Sequence, residues 1–213
     1  MKKLQLFLFA AICAGSMAAQ TNTLKDPNKT DYVVTIKTDF GEMVILLYDK
    51  TPRHKQNFIK LAKEGYYNGT TFHRIIKDFM IQGGDPNSKD DNPNNDGMGG
   101  PNYTIPAEFV PSLKHVKGSV AAARMGDAVN PKKESNGSQF YIVHNANGTP
   151  MLDGSYTVFG KVVKGLEVID LIASQPKDAR DRPLKDIKMT VTVTEMKVNA
   201  IIKKYQCTDF YSN

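Results

Sequence analysis

Cysteine is scarce: the 213 residues hold two, Cys13 and Cys207. Once the N-terminal stretch described below is removed, Cys207 alone remains, so no intrachain disulfide can form and the fold must rest on its apolar core. The four histidines, His54, His73, His115 and His144, are scattered singly. No ligand spacing of a metal site is present, and neither a metal nor a cofactor is expected. Asp85, Asp90, Asp91 and Asp96 do not follow the spacing of an EF-hand loop. No apolar run is long enough to span a bilayer. Excess charge is small too: 28 Lys+Arg stand against 22 Asp+Glu, a net +6 that falls to +4 without Lys2 and Lys3. That balance does not argue for nucleic acid as a partner. The chain also lacks a G-x-S-x-G elbow, so Ser138, His144 and Asp153 are not read as a hydrolase triad.

What is present begins with a leader. Lys2-Lys3, the apolar run from Leu4 to Cys13 and the small residues Ser16-Met17-Ala18-Ala19 have the order of a secretory signal peptide over residues 1–19. Ile12, directly before Cys13, argues against a lipid anchor. Export is therefore expected, to a periplasm first and to the medium as the alternative, with no membrane insertion after cleavage and a single copy in solution. Residues 20–31 read as a polar, flexible leader and 199–213 as an extension beyond the main domain, 32–198.

Within that domain, Tyr32 to Thr38 and Glu42 to Tyr48 are β-rich runs joined by Asp39-Phe40-Gly41. Met43 to Leu47 is apolar throughout, the pattern of a strand covered on both faces. Thr51-Pro52 opens a helix whose Phe58, Leu61 and Ala62 share one face. Leu166, Ile169, Ile172 and Ala173 mark a second. Ile187, Met189, Val191 and Val193 alternate with Lys188, Thr190, Thr192 and Thr194, which pins the register of the last strand. Residues 86–102 and 125–136 read as long polar loops. The three Asn-Gly sequons, at Asn68, Asn136 and Asn147, have a sufficient reason in turn geometry. About eight short strands and two helices make this an all-β barrel or sandwich with helical caps.

The stretch from Tyr66 to Asp85, YYNGTTFHRIIKDFMIQGGD, organises the rest. It reads as two strands kinked at Lys77-Asp78, which bring Arg74 beside Phe79, Met80 and Gln82: a fixed cation and an amide at the edge of an apolar hollow. Such a hollow suits a greasy ring attached to a polar amide. Phe72 and Ile76 read as core, and His73 as a hydrogen-bonded structural histidine.

FHRIIKDFMIQGGD resembles the FHR-x-I-x-x-F-M-I-Q-G-G-D signature of cyclophilin-type peptidyl-prolyl isomerases. NGSQFYIV, Asn136 to Val143, resembles that family's NGSQFFI block, and MLDGSYTVFGKVVKG, Met151 to Gly165, its WLDG-x-x-x-VFG-x-V-x-x-G block. The resemblance spans roughly Val33 to Val198. It implies a mainly β fold, a closed eight-stranded antiparallel β-barrel capped by two α-helices. It also implies isomerisation of X-Pro bonds in proline-containing segments of folding proteins.

Arg74 is then the catalytic donor, while Phe79, Met80, Tyr141 and Leu152 wall the ring pocket. Gln82 holds a substrate carbonyl or orients Arg74, and Ala123, Arg124 and Gln139 line the groove for the preceding residues. Two positions depart from the pattern. Met151 stands where eukaryotic members carry Trp, and Tyr156, kept as a pocket residue, where they carry His. Arg124 replaces a frequent asparagine, the look of a bacterial variant. The alternative reading is a non-catalytic module or chaperone that binds proline-containing peptides.

Overall fold

The computed structural model describes residues 28–211. The expected signal segment and leader residues 20–27 lie outside the described residues. The elements in order are β1 (Thr30–Thr38), β2 (Gly41–Leu47), α1 (Pro52–Lys63), β3 (Phe72–Ile76), β4 (Met80–Gly83), β5 (Thr104–Ile105), β6 (Ser119–Ala122), β7 (Ser135–Asn136), β8 (Phe140–Val143), β9 (Val158–Lys164), α2 (Leu166–Ala173), β10 (Thr190–Lys197), α3 (Val198–Tyr205) and α4 (Thr208–Tyr211). The leader ends earlier than its polarity implies, because Thr30 and Asp31 already pair with Lys197 and Met196 of β10.

Eight strands form one curled antiparallel sheet in the order β10-β1-β2-β9-β6-β8-β4-β3, and β5 pairs with β7 separately. The ladder stops at β10 and β3, so the sheet is an open half-barrel and the expected closed barrel is corrected. The two edges meet only near one end, through a bridge between Thr71 and Lys188. Three backbone bonds reinforce it: Gly69 N to Met189 O, Met189 N to Thr70 O and Phe72 N to Ile187 O. The physical reason is the shortness of β3. It turns at Lys77-Asp78, Asp78 taking φ 59°, and Ile75 N donates to Asp181 O of a loop where a neighbouring strand would have run.

The sheet wraps a core of Val34, Ile36, Met43, Ile45, Leu47, Phe72, Ile75, Ile81, Phe140, Ile142 and Phe159, into which α1 sends Phe58, Leu61 and Ala62 and α2 sends Val168, Ile169 and Ile172. Phe72 is core as expected, whereas Ile76 is only half-buried and packs against a second cluster that contains Tyr141. Helix α1 begins at Pro52 with Thr51 as N-cap, but the Thr51 hydroxyl bonds back to Tyr48 O. The open backbone donors of its first turn go to Glu108, whose carboxylate accepts from Arg53 N and His54 N.

Two helices beyond the expected pair, α3 and α4, follow β10. Their cause lies in β2, where every residue from Met43 to Leu47 is buried. Met43, Ile45 and Leu47 face the core. Val44 and Leu46, with Val33 of β1, face the other way and are covered by Ile201 of α3, with Tyr205, Phe210 and Tyr211 packed against them. Phe210 stacks on Tyr48 with ring centres 4.5 Å apart.

Candidate functional site

Strand register builds the site. Arg74 pairs with Gln82, Gln82 with Tyr141, and Tyr141 with Ala121, so four residues from β3, β4, β8 and β6 form one row across the sheet. Directly opposed residues point to the same face, and Met80, two positions before Gln82, joins them. The alanine end of the row has no bulk. A cleft of about 390 Å³ opens over this face, lined by Arg74, Phe79, Met80, Gln82, Ala123, Arg124, Tyr141, Leu152 and Tyr156 among others. Nine of the ten residues expected at the site converge there.

The tenth, Gln139, does not line the cleft. It lies buried behind Gln82, accepting from Gln82 Nε2 at 3.0 Å and donating to Gly97 O and Gly99 O at 3.0 and 2.7 Å. It therefore fixes the Gln82 amide and ties the 86–102 loop to the sheet. Asp85 holds the same loop through Asn87 N and Gly99 N. Gly99 is required there, because a Cβ would sit 2.2 Å from Asp85 Oδ1.

The Arg74 side chain makes no hydrogen bond among the described residues. Its nearest counter-charge, Asp181, is 3.9 Å away and is itself held by Lys177 at 2.7 Å; the arginine side chain is 44% exposed. Its guanidinium is free to donate. Arg124 is the opposite case: it bonds Ser155 O, Met125 O and Asp127 and lies over the Tyr156 ring, 4.4 Å from its centre. Its side chain clamps the 124–127 turn to the aromatic wall and has little left to offer a ligand. Tyr156 meets Tyr141 edge-on.

The sequence marks one part of the far wall, a long 86–102 loop able to shape access to the cleft, and gives little sign of the other. The 86–102 loop contributes Pro93, Asp96, Gly97 and Met98, and a second loop contributes Arg180 and Arg182. Asp96, nearly fully buried, joins them by a 2.7 Å ion pair to Arg182, which also holds Asp186. The only signal of that second loop was the dense run of alternating charge from Lys177 to Asp186. Among the described residues no cluster of three His, Cys, Asp or Glu side chains could hold a metal ion. His144 pairs with Asp170, and Asp153 with His115, so Ser138, His144 and Asp153 form no relay.

His73 corrects an expectation. It is buried under the 86–102 loop with the Thr71 backbone beside it, yet among the described residues neither ring nitrogen makes a hydrogen bond of full geometry. His54 and His115 do find partners, in Glu108 and Ser135 and in Asp153 and Tyr141. Burial pushes all three histidines below the ordinary value, more than their acidic neighbours push them up. The folded chain therefore holds them neutral, while the unfolded chain binds protons below about pH 6.5. Stability present above that value falls as the pH drops from it toward the lowered native values. Thermal melting should be flat from about pH 8 to 7 and decline between about pH 6.5 and 5. A melting temperature constant down to pH 5 contradicts the assignment.

Residues 33–194 match the family model described as cyclophilin type peptidyl-prolyl cis-trans isomerase/CLD. A Rhizopus delemar protein, peptidyl-prolyl cis-trans isomerase-like 2, is 40% identical over 193 residues; the match covers 85% of this chain and 33% of that protein, so the chain spans about a third of its length. The Mus musculus peptidyl-prolyl cis-trans isomerase-like 1 is 37% identical over 176 residues, covering 81% of this chain and 95% of the relative. A solved cyclophilin-type isomerase from Cryptosporidium parvum, in the presence of the dipeptide Ala-Pro, is similar with a TM-score of 0.67 and 32% identity, over 76% of this chain and 98% of that one.

Proposed function

The chain belongs to the cyclophilin-type peptidyl-prolyl cis-trans isomerase family, and on that premise we propose that it accelerates X-Pro isomerisation through Arg74. Rotation about a peptide bond faces about 18–20 kcal/mol because it breaks amide resonance, and at the top the prolyl nitrogen recovers a localised lone pair. No covalent bond is made or broken. The reaction needs a dry slot for the ring, a grip on the flanking chain and a donor that prefers the twisted amide. Phe79, Met80, Tyr141, Leu152 and Tyr156 supply the slot, Gln82 and the backbone near Ala123 the grip, and Arg74 the donor. A permanently protonated, planar guanidinium keeps its direction. Bringing a ~100 s event to milliseconds takes about five decades, roughly 7 kcal/mol.

The observation that carries this reading is the Arg74 guanidinium, held only by a loose 3.9 Å ion pair and without a hydrogen bond, at the lip of a cleft walled by Phe79, Met80, Tyr141 and Leu152. Its test is the isomerisation rate of a short Ala-Pro peptide with and without the protein; no acceleration refutes it. The chain acts on proline-containing segments of folding proteins, as a single copy, outside the cytoplasm of a bacterium. The lysine-led apolar start of the sequence supports export, and cell fractionation tests it: recovery from the cytoplasm at full length overturns it.

Met151 sets a drug response. Its thioether has no donor to replace an indole N–H, and the residue is 72% exposed. Cyclosporin should therefore inhibit weakly while turnover persists; inhibition in the nanomolar range contradicts this.

A further inference from the structure

Behind the cleft, a buried histidine links the slot residue Tyr141 to Asp153, and the isomerase reading leaves this polar link unused. His115 Nδ1 is 2.8 Å from Asp153 Oδ1, and His115 Nε2 is 2.9 Å from the Tyr141 hydroxyl. The imidazole is fully enclosed and lies parallel to the Tyr141 ring. Asp153 also accepts from His115 N at 3.0 Å and faces Lys114 Nζ at 3.3 Å. With the carboxylate beside Nδ1, the ring proton sits on Nδ1 and Nε2 is left as an acceptor. The Tyr141 hydroxyl must then donate to Nε2. No other hydrogen-bond partner reaches that hydroxyl among the described residues.

We propose that His115, oriented by Asp153, is a positioning residue for the proline pocket: it turns the Tyr141 O–H away from the apolar slot and holds the ring as its wall. This rests on the isomerase reading above. If Nε2 gains a proton, Tyr141 becomes the acceptor and its own hydrogen must turn elsewhere. The neighbours on the pocket side are Phe79, Met80, Leu152 and the edge of Tyr156. Phe79 and Leu152 cannot accept it and the Met80 thioether accepts only weakly, so either a poorly satisfied donor enters the slot or the ring moves. The charged and titratable groups that face this unit are Asp153 and Lys114 around His115, and Tyr156 and Arg124 beyond Tyr141. Burial holds His115 below the ordinary histidine value, which keeps the productive arrangement in place at neutral pH.

The test uses Asp153→Asn, Tyr141→Phe and the double variant, each assayed on an Ala-Pro peptide well below its melting temperature. The amide oxygen must still accept from His115 N, but the charge that holds the ring proton on Nδ1 is gone, so the Nε2-protonated tautomer, with the tyrosine hydroxyl reversed, gains population at neutral pH. Asp153→Asn should lower kcat/KM about fivefold, the weight of one hydrogen bond, chiefly through KM. Wild type should lose a similar factor as the pH falls below the ordinary histidine range and His115 takes up its proton. In the Tyr141→Phe background both effects should vanish, since no hydroxyl is left to orient. Equal losses from Asp153→Asn in both backgrounds, or a pH response that survives in Tyr141→Phe, overturn the proposal. If Asp153→Asn does not fold, the pH profiles of wild type and Tyr141→Phe decide alone. A wild type without isomerisation refutes the isomerase reading instead, and calorimetric Ala-Pro affinity of the same proteins then judges the positioning role by the same pattern.

Discussion

Replacement of Arg74 by alanine should reduce kcat/KM for an Ala-Pro peptide by about 10²–10³-fold, the usual effect of removing one oriented donor aimed at developing charge. The side chain is half-exposed and makes no hydrogen bond among the described residues, so its loss leaves no buried partner stranded and the melting temperature should hardly move. This separates a chemical role from a structural one. Arg74→Lys should rescue only partly, because an ammonium lacks the planar fork. Peptide affinity discriminates the enzyme from a binding module: retained affinity with lost turnover supports the enzyme. Equal rates for wild type and Arg74→Ala would leave the donor role without support.

Lys55→Met should cost about 3 kcal/mol of stability and, at 2–4 °C per kcal/mol for a chain of this size, lower melting by roughly 6–12 °C. Lys55 reaches Asp31 at 2.6 Å and Asp49 at 2.7 Å, and the Lys55 and Asp31 side chains are only 11% and 5% exposed. Asp31 also accepts from Tyr211 at 3.1 Å and from Tyr32 N. One lysine thus joins α1 to β1 and, through Asp31, to α4. Without it the Asp31 carboxylate stays buried with no counter-charge. Lys55→Met combined with Asp31→Leu should recover most of the loss, since two apolar groups satisfy each other where a lone charge cannot. A single variant that melts within about 1 °C of wild type would place the carboxylate in water instead.

How much of this was readable in advance depended on periodicity. The alternation Ile187, Met189, Val191 fixed one face of the last strand, and those residues are buried while Lys188, Thr190 and Thr192 are exposed. The kinked stretch around Arg74 placed Phe79, Met80 and Gln82 together because strand register does so. Arg180, Arg182 and Asp96 carry no period, and Asp96 and Arg182, 86 positions apart, meet only in the folded chain, so the pairing of the two loops into one wall had no local sign. The link from His115 to Tyr141 was hidden for the same reason: 26 positions separate them. The open sheet followed from the length of β3, a boundary that composition does not set. The extension showed its apolar residues, Ile201, Ile202, Tyr205, Phe210 and Tyr211, for which docking on the sheet was one of two readings, but not which face they would cover.

That destination matters for where the folded unit ends. Val33, Val44 and Leu46 point outward from the curl of the sheet and are nonetheless shielded, by Ile201 and the aromatic residues after it. The family match stops at residue 194, short of that shield. A polypeptide trimmed to the match would carry an uncovered greasy stripe along two adjacent strands, and such stripes drive self-association. Residues 199–211 therefore shield the back of the sheet, although the family match ends before them.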